Sequence, residues 1–555
     1  MKKIILLLCV FFIIFPLWAE YYYQDDIEIF TLTHLSRRMG KVIPFTSFPV
    51  HGSDILDFAY FLESTSSKLN ENEISMLENL IEKLEKQKDK GIIINGGLKA
   101  AYEHRLSTGQ FMLGEIELPE AEDVRRAYLN FSPVLSIYSS GGTFNGIWIS
   151  AQADFRPAWS DEFAPWSNFF TKADIAFDFL KRGILAWNGE YINASISRDT
   201  IHWGNPAGST LYPAGWLPHM DSIRMNVPIG PFSLDYILAT IMPKRARHKD
   251  LELGEGFGFM YFDNENPSTI LFAAHRFQWN FGRLKVGAGS TMVYARANNQ
   301  FLITDILPVS IFHNADSSPN NMALILDIEW TIFPGFGLSA MVGFDDIDAK
   351  IFGIPDGSTP TIPGVIIQLE YSMASKNVFH YYMLEAGYTH YLWGSFEYND
   401  TSPDSWKGVH LARAIYRYNP NKYAVLLPLT SPYGPASLWG KFNTKFIFPQ
   451  WNLKIEAEML LLFKNSKVNL IDTPYEENNS LLSFDQWFFA IDIPVTYKWR
   501  NLEFLVCPTL LLGSEGYAFE CTIGVRFTLE GSKVYEKYSP NRSSKRRSRA
   551  ESSSE

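Results

Sequence analysis

The chain has 555 residues, 15% of them aromatic, and a formal net charge of -11, yet its mean hydropathy is only -0.08. No apolar run of about 20 residues follows the N-terminus, which excludes a bundle of membrane-spanning helices, and the acidic balance argues against a nucleic-acid partner, which needs a basic face. An alternating strand barrel in a membrane fits these values, because polar lumen residues cancel apolar lipid-facing ones in the average.

In chain order, Lys2 and Lys3 precede an apolar stretch from Ile4 to Phe15, followed by Pro16 and the small Ala19. A charged end, a short apolar core and a small residue describe a secretory signal peptide over residues 1–19. The stretch is short for an uncleaved anchor. Leu17, three residues before the cut, is larger than the ideal. Cys9 lies inside the apolar core rather than after it, which argues against lipid attachment.

Residues 20–90 read as a small helical subdomain, periplasmic after export. Ile55, Phe58, Ala59 and Leu62 recur at helical spacing, as do Ile74, Leu77, Ile81 and Leu84. Ser53 and Asn72 stand where N-caps belong. Two helices are predicted.

From residue 91 to 530 the apolar period changes from that of a helix to that of a strand. Tyr517, Phe519, Cys521, Ile523, Val525 and Phe527 alternate with a face that carries Glu520 and Arg526. Leu324, Leu326, Ile328, Trp330 and Ile332 oppose Asp327, Glu329 and Thr331. Leu284, Val286, Ala288 and Met292 oppose Lys285, Gly287, Gly289 and Thr291, and Phe232, Leu234, Tyr236 and Leu238 oppose Ser233 and Asp235. Each run is about the length of a tilted transmembrane strand. The span predicts a mainly β fold, a transmembrane antiparallel barrel of about 18 strands. A soluble sandwich or propeller would also alternate, but the export signal and the aromatic load favour the membrane barrel. Residues 531–555 are Ser- and Arg-rich without apolar pattern and are expected to form a disordered periplasmic tail.

The motifs that suggest chemistry are weak. "GEGFGF" (254–259) lacks the strand-then-helix context of a phosphate loop. "FDDID" (344–348) brings Asp345 and Asp346 close to a third carboxylate, which suits a wet strand rim better than a calcium loop or a glycosidase pair. There is no Gly-x-Ser-x-Gly elbow, and no Cys/His set has zinc spacing. Cys507 and Cys521 flank "GSEG", so either a cross-strand disulfide or two reduced thiols facing lipid is open. Trp159, Trp166, Trp187, Trp203, Trp216, Trp393, Trp406, Trp439 and Tyr433 could stack on sugar rings, but interfacial girdles explain most of them without a ligand.

Several segments together resemble the capsule assembly protein Wzi family. They are "GKVIPFTSFPVHGSDI" (40–55), "SISRDTIHWG" (195–204) with "GSTLYP" (208–213), "AHRFQW" (274–279) and "LPVSIFHN" (307–314). Further along they are "NNMALILDIEWTIFPGFGLSAMVGFDDID" (320–348), "HYYMLEAGYTHYLW" (380–393) and "LLPLTSPYGPAS" (426–437). Their order and spacing carry the resemblance more than any one motif. Ser197 and Asn205-Pro206 depart from the family pattern, as do the stretch 213–221 and the extra tail.

The resemblance implies an outer-membrane barrel with an N-terminal periplasmic helical bundle. It also implies a non-enzymatic, lectin-like anchor for surface polysaccharide without a cofactor or metal. Arg198, Asp199, Trp203, Gly204, Ser209, Asp345 and Asp346 are its structural signature here, with no catalytic assignment. Expected partners are outer-membrane lipid, surface polysaccharide and the barrel-assembly machinery. A passive porin and an exported carbohydrate-active enzyme are the alternatives. The incoming strand places Asn193, Ser195, Ser197 and Asp199 on the lumen face and Arg198 on the apolar side. Arg198 is therefore expected to latch the barrel and Trp203 to stand at the membrane rim, with His202 structural rather than catalytic.

Overall fold

The structure, a computed structural model, describes residues 21–535. The segments 140–146, 158–174, 241–267, 298–302, 307–319, 351–360, 395–411, 417–423 and 469–481 and several gaps of one to five residues are not described. The expected signal peptide, Trp159, Trp166, Trp216, Trp406, "GEGFGF" and "LPVSIFHN" lie outside the described residues.

The fold is mainly β. Strand segments follow one another around a closed barrel in chain order, each antiparallel to the next, and Gly516–Tyr535 closes the circle on Ile92–Gln110. Among the described residues the circuit holds twenty segments. Asp123–Phe131 and Val134–Ser139 share both neighbours and fill one position, as do Gln486–Asp492 and Val495–Trp499. A closed meander of this kind leaves no open strand edge, the condition for strands to stand in lipid.

The alternation read from the sequence sets the two faces of the wall. In Asn320–Phe333, Leu324, Leu326 and Trp330 point outward and are exposed, while Ile325, Glu329 and Thr331 point inward and are buried. Phe336–Asp346, Ile362–Ala374 and Phe379–Thr389 repeat the pattern. At one end the strands are joined by short hairpins, whose tips use left-handed residues such as Gly230, Gly282, Gly335 and Asn452. Exposed Trp187, Trp279, Phe281, Phe333, Trp451 and Trp499 ring this short-turn end on the outside, the placement of an interfacial aromatic girdle. Trp203, Trp393 and Trp439 do not belong to a girdle; all three are buried inside the barrel.

Three helices, not two, occupy the N-terminal subdomain: α1 (Ile27–Arg38), α2 (Gly52–Ser64) and α3 (Glu71–Lys88). Of these, α1 lacks the apolar stripe that betrays a surface helix, because it is wedged between the other helices and the barrel. Thr31, Thr33, His34, Ser36 and Arg37 are buried along with Ile29, Leu32 and Leu35. The caps also shift. The His51 side chain accepts from the Ser53 N–H, and Asn70 and Glu73 form a reciprocal capping pair at 3.0 and 2.9 Å. Burial would raise the Glu73 carboxyl, but the nearby His34 ring and hydrogen bonds from Asn70 and Arg38 outweigh it and hold the group below its ordinary range, tying α3 to α1. No helix among the described residues is long and apolar enough to cross a membrane.

Two further expectations change. The last strand runs past residue 530, with Gly531 to Tyr535 pairing in register with Gly96 to Ile92. The apolar Ile92–Ile94 run supplies an ordered edge, which extends the strand into the Ser/Arg-rich stretch; residues 536–555 lie outside the described residues. Cys507 stands opposite Thr522, and Cys521 opposite Pro508. Neighbouring residues alternate faces, so this register puts the two thiols on opposite sides of the wall, and both are free.

Candidate functional site

The site is the barrel interior, which is packed rather than open. After Asn193–Asp199, residues 200–215 leave the wall and fold inward. His202 and Trp203 pair antiparallel with Phe48 and Ser47, so this plug and the segment leading into α2 form a small sheet inside the barrel. The Trp203 N–H donates to the Pro213 carbonyl and the Gly204 N–H to that of Thr46, both at 2.8 Å. Gly204 has φ +117°, a conformation that favours glycine, and a Cβ there would also push on Met341 Cε at 2.7 Å and Thr210 Oγ1 at 3.1 Å. Around the plug, Ile201, Trp203, Leu211 and Tyr212 join Tyr391, Trp393 and Trp439 and the inward side chains Ile237, Phe272, Val293, Ile325 and Ile366 in one buried core.

Several buried polar groups of the plug are tied to the wall, and others are satisfied within the plug. The Ser209 N–H donates to Glu385 Oε2 at 2.8 Å, and Gln368 Nε2 donates to the Ser209 carbonyl at 2.9 Å. Trp439 Nε1 donates to the second Glu385 oxygen at 2.7 Å. Asn205 reaches Glu370 and caps its own turn by accepting from the Ala207 N–H. His202 is held at both nitrogens: Nδ1 accepts from the Gly215 N–H, which leaves Nε2 to donate to the Asn205 carbonyl at 2.9 Å. Burial pushes its pKa down to about 4 against a smaller opposing pull from that carbonyl. A neutral, doubly bonded imidazole is a strut and not a base. Unfolded chains take up this proton near pH 6.5, so its contribution is complete above that pH and is lost as pH falls toward 4. Thermal scans should show His202-dependent destabilisation over that window, on the order of 3 kcal/mol at its acid end; His202→Asn should flatten it.

Below the plug, toward the short turns, α1 and the following segment carry cations and carbonyls into a charged seam. Arg37 donates to Glu329 at 2.7 Å, to Glu370 at 3.2 Å and to Thr331 at 2.8 Å. Lys285 bridges Glu329 and the Ile43 carbonyl. Arg276 holds Asp327 through two nitrogens at 2.5 and 3.0 Å and also donates to Thr46 and Gln278. Glycines make the room: a Cβ on Gly337 would lie 2.8 Å from the Arg37 guanidinium, and one on Gly287 would lie 2.3 Å from Asp327. Paired ions at this burial fix geometry more than they add stability, whereas removing one partner strands the rest. Asp327 and Glu329, which a porin would use to line a conducting lumen, are instead covered by these cations.

The signature residues divide into two groups. Trp203, Gly204 and Ser209 form the plug itself. Asp199 faces the lumen, where it accepts from the Tyr23 hydroxyl at 2.8 Å and pairs with Arg182 at 3.4 Å; Arg182 also lies 4.3 Å from the Tyr23 ring centroid. Arg198 faces outward as its parity required, with no bulge to turn it in, and forms a two-pronged pair with exposed Asp221 at 2.6 and 2.7 Å. The latch is therefore Asp199, which holds the first residues of the subdomain to the wall, and not Arg198. An exposed pair contributes little, so Arg198→Ala should cost under about 1 kcal/mol of barrel stability. Asp199→Ala should cost about 1–2 kcal/mol, because it leaves the Tyr23 hydroxyl and the half-buried Arg182 without this partner, measured as the temperature at which the folded band is lost on a gel.

Asp345 and Asp346 do not form a pair. Asp345 is the extra residue at a bulge between Phe344 and Asp346; it is buried and accepts from the Gly394 N–H at 3.0 Å. Asp346 accepts from the next residue's N–H. No group of three metal-ligating side chains occurs among the described residues.

Sequence reading missed Arg37, Lys285, Arg276 and Glu385 as site residues. The inward-facing charges of the wall strands were legible, but their partners come from a helix and a loop far away in the chain. The segments that carried the family resemblance converge here: 40–55, 195–213, 274–279, 320–348 and 380–393 each contribute to the plug or the seam.

No protein-family model matches the chain, and no curated protein sequence does. Among solved structures, the fold is similar to Wzi from Escherichia coli, an outer-membrane protein involved in group 1 capsule assembly and described as a carbohydrate-binding β-barrel. The TM-score is 0.57 at 12% identity, over 92% of this chain and 99% of that one. OpdK (OccK1) of Pseudomonas aeruginosa aligns with a TM-score of 0.41 at 9% identity, over 78% of this chain and 98% of that one, a likeness too slight to carry an argument. Over most of its length, the chain has the fold of the Wzi capsule-assembly barrel.

Proposed function

We propose that the protein is an outer-membrane barrel that holds polysaccharide at the cell surface without bond chemistry, its helical subdomain facing the periplasm. The observation that carries this reading is the packed lumen. A passive porin needs a water-filled path, and here aromatic side chains, a loop and a paired charge seam occupy the described interior. A barrel that spends its interior on packing offers its loops, rather than a pore, as the working surface. The Wzi-like fold supports a saccharide as the ligand. The described strand ends between which the long connections run lie opposite the short turns, and that is the end at which an anchor would meet a glycan.

The test is a gene deletion scored by the partition of polysaccharide between cell pellet and medium. Release on deletion, reversed by the wild-type gene, is the expected result. Unchanged surface retention would sink the reading. Oligosaccharide turnover by the purified protein, lost on Asp345→Asn, would favour an enzyme instead.

A further inference from the structure

A cleft of about 500 Å³ opens at the short-turn end, between α2 and the inner face of the wall. Its size falls within the roughly 300–1,000 Å³ of small-molecule sites. It is separate from the long loops and uses none of the plug's own side chains. We infer that this cleft is a second saccharide site, one that takes an uncharged oligosaccharide segment through an aromatic face on α2 and an amide ladder on the wall. The inference rests on the saccharide-binding reading above and extends it to the other end of the barrel.

Two chemically different surfaces line the cleft. On the wall, Asn193 Nδ2 donates to Asn226 Oδ1 at 3.4 Å, and Asn226 Nδ2 donates to Asp235 Oδ1 at 2.9 Å. This chain ends on a buried carboxylate, so both amides are oriented before any ligand arrives. Asn193, half-buried, heads the ladder and lines the cleft. A row of fixed amides and a carboxylate suits vicinal hydroxyls, which both donate and accept. On the opposite side, Phe58 and Phe61 stack with ring centroids 5.9 Å apart and 22° between planes. Phe61 is 44% exposed, with Lys41 Nζ 5.6 Å from its ring centroid and the rest of the ring open to the cleft. A pyranose has one face of C–H groups and a rim of hydroxyls, which matches a ring on one side and amides on the other.

Charge narrows the class. Asp54, Asp57 and Asp235 line the cleft against one guanidinium, Arg224, and Arg224 is already bonded to Ser47 Oγ and the Pro49 carbonyl. A polyuronate would meet three carboxylates against two cations, the engaged Arg224 and Lys41 beside the Phe61 ring. An uncharged glycan meets no such penalty.

The experiment uses the full detergent-solubilised protein and titration calorimetry. The probes are uncharged gluco- and chito-oligosaccharides of two to six units, oligouronates of the same lengths, and a set of short extended peptides. The uncharged probes should bind, and Phe61→Ala and Asn193→Ala should each weaken them about tenfold, close to one lost contact of about 1.4 kcal/mol. Phe61 is exposed, so its removal leaves folding intact, and heat-dependent gel mobility confirms this for both variants. The inference is overturned if no uncharged probe binds, if both variants bind as the wild type does, or if oligouronates or peptides compete for the same residues. Surface retention in cells carrying both substitutions separates the two claims. Wild-type retention with cleft binding lost leaves the anchoring function standing and assigns it to the long loops; wild-type retention with no cleft binding from the start removes only the second site.

Discussion

Arg37→Ala should lower barrel stability by about 3–5 kcal/mol, the cost of removing one partner from a buried ion cluster. Glu329 would keep Lys285, but Glu370 would face the seam with Asn205 alone. The same change releases α1, whose side-chain anchor in the seam is this guanidinium, so trypsin should cut within residues 21–88 well before the wall strands. Arg37→Lys should recover part of the loss, because an ammonium supplies charge but cannot reach Glu329, Glu370 and Thr331 together in a fixed fork. The readouts are the loss temperature of the folded band and the rate of first cleavage. Equal resistance in wild type and Arg37→Ala would show that the subdomain is held by apolar contacts and not by the seam.

The plug should be nearly as sensitive. Trp203 is 1% exposed and packs on Tyr212 at a centroid distance of 5.9 Å. Truncating a buried tryptophan costs about 3–5 kcal/mol in transfer and cavity terms, and Trp203→Ala should show that loss in the same assay. Gly204→Ala acts by a different route, combining a positive φ with a Cβ placed against Met341 and Thr210. Neither change touches the wall's hydrogen-bonded ladder, so both variants should still insert as barrels while the plug becomes mobile. A rise in single-channel openings in Trp203→Ala, with the strand signal unchanged, would separate plug from wall.

The wall was legible in the sequence because it is periodic. In a barrel each strand's two faces meet two solvents, so Leu324 to Ile332 on one side and Asp327 to Thr331 on the other announce the strand without any tertiary knowledge. The subdomain was legible only in part. Residues 55–62 and 74–84 show a stripe because α2 and α3 have a wet face, whereas α1 is enclosed and its polar residues are buried. The interior was least legible. Trp203, Trp393 and Trp439 have the composition of girdle residues and differ from Trp187 only in where the chain turns after them. Arg198 and Asp199 are adjacent and both charged, and parity alone decided which one entered the lumen. The functional weight fell on Asp199 because the partner it needed, Tyr23, sits at the start of the subdomain.

If residues 200–215 and the seam beneath them close the barrel, purified full-length protein in a planar lipid bilayer will not conduct. The protein should insert, verified by the folded band recovered from the membrane, with no stable conductance step. Long-lived, uniform, large-conductance channels from the wild-type protein would contradict it.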